Sequence, residues 1–447
     1  CRTYLKDVAK DFGRHLMVLI LSGRRGLIHV GHLLPRGYGI VCESVLFVSN
    51  QTNDSAMPKR FEWLFYAFIA FALYSCNGSS RGKGTEVETV SIDTADFNFP
   101  VRFEYAKGIQ TVNHTGYKTV YIFHPDKPDT MAVYILYPRD SKRPVARHPK
   151  ALYIPVPART IACLSTTQIG SLPLLDQTDK LVGCINLKNI CNADIRNRIK
   201  KGYVQEIGTG MTKNIEQIAG LRPEILLQDL FHVSGKDEEL IASGINTVLY
   251  NEWKERDLLG RAEWMKLTAM LLGCNRRAHE VFEQIESEYA EARKLVAEKT
   301  DTIAIMYGQD YNGTWYLPGE YSYSTAMFRD ARVSFDYAAG KVSSQPCSFE
   351  YIFSRHRHAE IWICTMMGNI KTMDEFLALN ERYRHFDATQ TGKVYIDRKR
   401  VNENGGNDYW ESGLYRPDLL LKDIIKITRP ELLPEYETSY WIELKRP

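Results

Sequence analysis

Six aromatic side chains, Tyr307, Tyr311, Trp315, Tyr316, Tyr321 and Tyr323, fall within a stretch of 17 residues. Such rings cover flat π surface and keep phenol hydroxyls for polar edges, so the chemistry on offer is noncovalent capture of a flat solute. Well upstream, Ser165, Thr166, Thr167 and Gln168 follow an apolar run and open a helical pattern. There, hydroxyls and the free N–H groups of a helix start could face a ligand. Trp253 and Arg261 lie just past another apolar run. Ordinary packing is the alternative for each aromatic, and Arg261 with Glu263 could equally be a structural ion pair.

No covalent chemistry is legible around these residues. The chain has no P-loop and no H-E-x-x-H, and its one G-x-S-x-G string, Gly78-Ser-Ser-Arg-Gly82, lies in a polar tract and not on a strand-to-helix elbow. Asn404-Gly405-Gly406-Asn407 matches no dinucleotide fingerprint. A zinc or manganese site needs several converging His and carboxylate ligands. The one close set, His356 and His358 in Ser354-Arg-His-Arg-His, reads better as a basic surface turn. Neither an enzyme nor a metal site is expected.

The 447 residues suffice for two or three domains. With 44% apolar and 25% charged residues the composition excludes a disordered chain, a collagen-like repeat and a polytopic membrane protein. Lys and Arg total 57 against 54 Asp and Glu, a net charge of +3 that favours no polyanionic partner, nucleic acid included. Nine cysteines without a C-x-x-C pair exclude a zinc ribbon and a dense disulfide framework. The pairing of the six that follow Cys76 cannot be read.

Residues 1–56 show short apolar runs without a sustained period and are expected to be an upstream, non-native segment. At Met57 a basic start, Met57-Pro-Lys-Arg60, precedes an apolar run of 12 residues, Trp63 to Tyr74. That is too short for a hydrocarbon core needing about 20 residues. With Leu73-Tyr-Ser-Cys76 it has the parts of a secretory signal. A buried helix ending in Cys is the alternative. Residues 1–75 carry nine Lys/Arg and five Asp/Glu, so the remainder has a net charge of −1, with 48 basic against 49 acidic residues.

Residues 77–157 read as a linker and a small antiparallel β-rich extension, with strands at Thr111-Val112, Thr119–Phe123 and Met131–Tyr137. From 158 to 275 strands alternate with helices, which argues for a parallel sheet covered on both faces. One helix follows over 276–300. Its apolar positions Ala278, Val281, Phe282, Ile285, Tyr289, Ala292 and Val296 keep a spacing of three or four. The alternation then resumes over 301–447 and ends in a helix through Leu419–Ile427. The expected fold class is α/β: two Rossmann-like lobes joined by one long helix, with a cleft where ligand sites preferentially lie.

Several runs together resemble one family. They are Asn214-Ile-Glu216 with Leu221-Arg-Pro-Glu-Ile-Leu-Leu227, Leu259-Gly-Arg-Ala-Glu-Trp264, Asn312-Gly-Thr-Trp-Tyr-Leu-Pro-Gly319, Ser322-Tyr323, Asp330-Ala331 and Asn407-Asp-Tyr-Trp-Glu-Ser-Gly413. From about residue 158 to the end, the chain resembles the class III (cluster A) substrate-binding proteins of ABC importers, in the branch typical of Bacteroidetes-type lipoproteins. The chain departs at Glu320 and Arg332, where the family usually has Gly, and at Arg429, where His is common.

The resemblance implies a cargo of an iron complex (siderophore or haem) or cobalamin, with an iron complex slightly ahead. It implies ligand contacts from Ser165, Thr166, Thr167, Trp253, Arg261, Tyr311, Trp315, Tyr316, Tyr321 and Tyr323. It implies docking onto an ABC permease and its ATPase through Glu216 and Glu350, one carboxylate on each lobe. Leu73-Tyr-Ser-Cys76 resembles a lipobox, which implies acylation of Cys76 and a monomer anchored by lipid to a bacterial membrane, periplasmic or at the cell surface. A scaffold or adhesion protein that kept this fold and lost its ligand is the competing expectation.

Overall fold

The computed structural model describes residues 93–446, apart from 126, 146, 147, 367 and 369, and the backbone of three strands nearer the N-terminus. Contacts divide the chain into residues 1–87 and 88–447. In the first unit Met17–Ser22, Leu27–His32 and Val41–Glu43 form an antiparallel sheet in that order. The expected signal segment, 57–76 with Cys76, lies outside the described residues.

In the second unit the first lobe is a five-stranded, all-parallel sheet. Its order is Gln205–Glu206, Leu181–Cys184, Ile161–Cys163, Ile225–Gln228, Asn246–Leu249. Every residue of Ile161–Cys163 and Ile225–Gln228 is buried. Strands covered on both faces read as continuous apolar runs and not as alternation.

The extension before it is larger and better integrated than the sequence suggests. Ile109–His114, Tyr117–Phe123 and Thr130–Pro138 pair antiparallel as expected, but Leu152–Val156 returns parallel to its neighbour. Its inward side chains Val120, Ile122, Leu136 and Ile154 share one core with Ile161, Leu227, Trp264 and Leu271. The extension is thus built into the first lobe.

The linking helix is Asn275–Ala297, 23 residues or about 35 Å. The seven apolar positions read from the sequence are its buried stripe. Its first turn is capped from the extension: Asn275 and Arg276 donate backbone N–H groups to the Asp96 carboxylate at 2.8 and 2.9 Å. Helix Pro417–Thr428 packs along it, with Leu421 and Ile425 in the same core as Phe282, Ile285 and Tyr289.

In the second lobe Met306–Tyr307, Trp362–Cys364 and Val394–Ile396 are parallel, and Ile442–Glu443 adds an antiparallel edge. A small antiparallel sheet of Asp310–Tyr311, Thr314–Leu317 and Gln345–Cys347, not foreseen, sits beyond the first of these strands.

Two helical stretches are divided. The segment 258–273 breaks at Trp264, whose indole N–H is drawn onto Glu255 at 2.8 Å. The segment 373–386 stops at Leu379, because Asn380 turns extended and caps a following 3-10 turn. Among the described residues no helix is long and apolar enough to cross a membrane.

The lobes touch where side chains are absent. A Cβ on Gly170 would lie 1.9 Å from the Glu411 carbonyl oxygen, and one on Gly406 would lie 2.1 Å from that of Asn189. No other residue type permits either approach.

Candidate functional site: the cleft between the lobes

Loops leaving the C-terminal ends of both sheets face each other. Asn402 of the second lobe donates its Nδ2 to the carbonyls of Lys188 and Ile190 at 2.8 and 2.9 Å. Arg256 of the first lobe reaches to 5.8 Å from the Tyr321 ring. The carboxyl ends of parallel strands, with their free N–H groups and short loops, are where such folds build ligand sites.

At the base of the cleft a polar chain crosses from lobe to lobe. Ser165 caps the short helix Thr166–Ile169, and its hydroxyl lies 2.9 Å from that of Thr167. Thr167 donates to Glu252 Oε1 at 2.9 Å, and Arg261 donates to the same oxygen at 3.4 Å. Arg261 in turn lies against Tyr323 of the second lobe, 4.6 Å from its ring centre.

Arg261 and Glu252 are 3% and 2% exposed. Burial raises the Glu252 carboxyl, and the Arg261 charge works against that rise. Burial also pulls on the guanidinium, but Tyr323, Glu252 and Tyr409 outweigh it and hold Arg261 above its ordinary range. The expected partner Glu263 is elsewhere: it is fully buried and accepts the backbone N–H groups of Glu104, Tyr105 and Ala106.

Above this base the walls are aromatic. Trp253 stacks on Phe231, with ring centres 4.9 Å apart and planes 21° from parallel, and Phe231 is 63% exposed. Lys254 lies 4.4 Å from the Trp253 ring. On the second lobe Tyr311, Tyr316 and Tyr321 are exposed. Tyr307 packs inward against Phe328 and Phe335.

Trp315 is a correction. It is fully buried, stacks on Trp362 at 5.9 Å and donates its indole N–H to the Tyr307 carbonyl. Strand alternation explains the pair, since Trp315 points inward and Tyr316 outward. Thus Ser165, Thr167, Arg261 and Tyr323 are brought together, Thr166 sits half-buried beside them, and Trp253 and Tyr321 flank the opening.

Phe231, Glu252 and Arg256 were missed. Each follows the end of a first-lobe strand, Ile225–Gln228 or Asn246–Leu249, and that position was the signal that could have found them.

Glu216 and Glu350 are exposed in the first turns of Ile215–Leu221 and Phe349–His356. Neither caps its helix: Asn214 and Ser348 accept the Gln217 and Tyr351 N–H groups instead. Glu350 pairs with Arg382 at 3.2 Å. His356 and His358 bond to different carboxylates, Asp336 and Asp387. The six cysteines from Cys163 to Cys364 are free thiols.

The chain belongs to the periplasmic binding protein family, whose model matches residues 161–401. The family and the fold are those of solute-binding proteins with a role in transport. Among curated relatives, an uncharacterized lipoprotein of Methanocaldococcus jannaschii is 23% identical over 308 residues, 65% of this chain and 70% of its own length. A second uncharacterized lipoprotein of that organism is 27% identical over 259 residues, 55% of this chain and 63% of its own. Among solved structures, an ABC transporter substrate-binding protein from Listeria monocytogenes EGD-e is 16% identical with a TM-score of 0.46, covering 61% of this chain and 99% of that one.

Proposed function

We propose that this chain is the binding component of an ABC importer, anchored by lipid through Cys76, and that it captures a chelated metal between its lobes. The cargo is an iron complex, a siderophore or haem, or else cobalamin. The observation carrying this reading is the Phe231–Trp253 stack, held at the C-terminal edge of one sheet while Tyr321 and Tyr323 face that lobe from the other. The exposed Phe231 ring, backed by half-buried Trp253, loses water-facing apolar area when a flat chelate covers it, which favours the chelate's capture. One long helix joins the lobes, so capture involves limited hinge movement. Glu216 and Glu350 then dock onto cationic residues of the permease, one exposed carboxylate on each lobe fixing orientation.

Titration of the purified chain with haem, cobalamin and a panel of ferric siderophores, followed by tryptophan quenching, tests this. Saturable binding of one of them, weakened about tenfold or more by Trp253→Ala, is the expected result. Absence of binding to the whole panel points to the ligand-free scaffold.

A further inference from the structure

Beside the cleft, the extension and the first lobe enclose a pocket of about 260 Å³ that shares only Lys254 and Arg256 with the cleft wall described above. Lys107 and His124 line it from the extension; Asn251, Lys254, Glu255 and Arg256 line it from the loop after strand Asn246–Leu249. Three cationic side chains and one carboxylate give the lining a net charge of +2 with His124 neutral.

The carboxylate is already engaged. Glu255 accepts the backbone N–H groups of Lys107 and Gly108 at 2.8 and 2.9 Å and the Trp264 indole at 2.8 Å. Asp257, close to Lys107, accepts the Gly260 N–H at 2.6 Å. The cations are not matched in the same way. Lys107 donates to the Glu104 carbonyl, while Lys254 and Arg256 lie over the rings of Trp253 and Tyr321.

A second observation points the same way. Asn251 is 4% exposed and its Oδ1 accepts the Leu230 N–H at 3.1 Å, yet its Nδ2 has no partner among the described residues. An orphaned amide donor in a cationic pocket asks for an acceptor. We propose that the pocket is an oxyanion site that takes a carboxylate or phosphate group, supplied either by the edge of the solute in the cleft or by a free anion. Lys254 and Arg256 touch the pocket and the aromatic walls together, so an acid on the solute can reach the pocket while its flat face lies on Trp253. The first source rests on the cleft reading above; the pocket does not.

Calorimetric titration of the intact chain in detergent with inorganic phosphate, at low ionic strength, tests the pocket. Phosphate should bind, and Lys107→Gln with Arg256→Gln should weaken it about tenfold or more. Asn251→Asp keeps the acceptor for Leu230 and replaces the orphaned donor by a carboxylate oxygen; it too should weaken phosphate. Haem and haem dimethyl ester, whose carboxylates are blocked, separate the sources. Tighter binding of haem, with the difference erased in Lys107→Gln/Arg256→Gln, assigns the pocket to the cleft solute. Equal binding of both alongside intact phosphate binding assigns it to a free anion. Phosphate binding with neither haem form bound keeps the pocket and removes haem from the cleft. Absence of phosphate binding, or binding that both variants leave unchanged, overturns the proposal.

Discussion

The guanidinium of Arg261 lies 4.6 Å from the ring centre of Tyr323, so a buried cation of the first lobe rests on a phenol of the second. Glu252 accepts from the same guanidinium and from Thr167, which ties the helix start at Ser165 into the junction.

Removing the cation leaves Glu252 as a buried carboxylate without a counter-charge. Arg261→Met should therefore cost roughly 3–5 kcal/mol of stability in urea denaturation. Glu252→Gln combined with Arg261→Met should recover most of that loss, because the uncompensated charge and not the missing contact is the source. A double variant as unstable as Arg261→Met alone would show that the two residues do not act as a pair.

The extension is held by carboxylates of the first lobe. Glu263 accepts three successive backbone N–H groups, Glu104 to Ala106, and pairs with Lys266 at 2.6 Å. Glu263→Ala should destabilise the chain by on the order of 3 kcal/mol, since the buried Ala106 N–H and the part-buried N–H groups of Glu104 and Tyr105 lose their acceptor. Limited proteolysis should then cut within 99–108 under conditions where the parent chain resists. Equal resistance of the two proteins would show that the extension is held by its sheet alone.

Much of this arrangement was legible in the sequence. The 3-or-4 spacing from Ala278 to Val296 named the apolar buried positions of the linking helix, because one helical stripe packs inward and six of its seven side chains, Val281 to Val296, share a single core. The parallel strands were legible as apolar runs for the same reason. Long-range pairings were not. Nothing local distinguishes Glu263, which binds the backbone of residue 105, from Glu216, which faces water. Trp315 and Tyr316 are both aromatic, and only strand alternation sets one inward and one outward.

Backbone demands were equally hidden. Arg332 stands where the resemblance expects Gly and still adopts φ 56, and helix Ile215–Leu221 ends on left-handed Arg222 and not on Gly220.

Burial of acids on the second lobe sets the pH response. Burial raises Glu411 to about 7, against the pull of N–H bonds from Cys191 and Asn192 of the first lobe. Burial also raises Asp397 to about 7. Their unfolded values lie near 4.5 and 3.8. Between those values and about 7 the folded chain holds more protons than the unfolded one, so stability falls as pH rises across that window. Each group contributes at most about 1.4 kcal/mol per pH unit there. Carboxyls held low, such as Asp336 and Glu288, act at lower pH, outside this window. The thermal midpoint should therefore be higher at pH 5.5 than at pH 7.5, and Glu411→Gln should reduce the difference. A midpoint that climbs with pH over this range would contradict the assignment.

Under the proposed docking, transport and folding make opposite demands on Glu216 and Glu350. Both carboxylates are exposed, and Asn214 and Ser348 do the capping, so neither acid is needed to start its helix. The Glu350–Arg382 pair is open to water and contributes little. Glu216→Ala with Glu350→Ala should change stability by only about 0.5 kcal/mol per substitution and leave solute affinity in the purified chain unaltered. Uptake in cells carrying the permease should nevertheless fall steeply if, as proposed, these two charges orient the lobes on it. The paired measurement isolates docking: affinity that falls with uptake would return both residues to a structural role, and unchanged uptake would remove them from the permease contact.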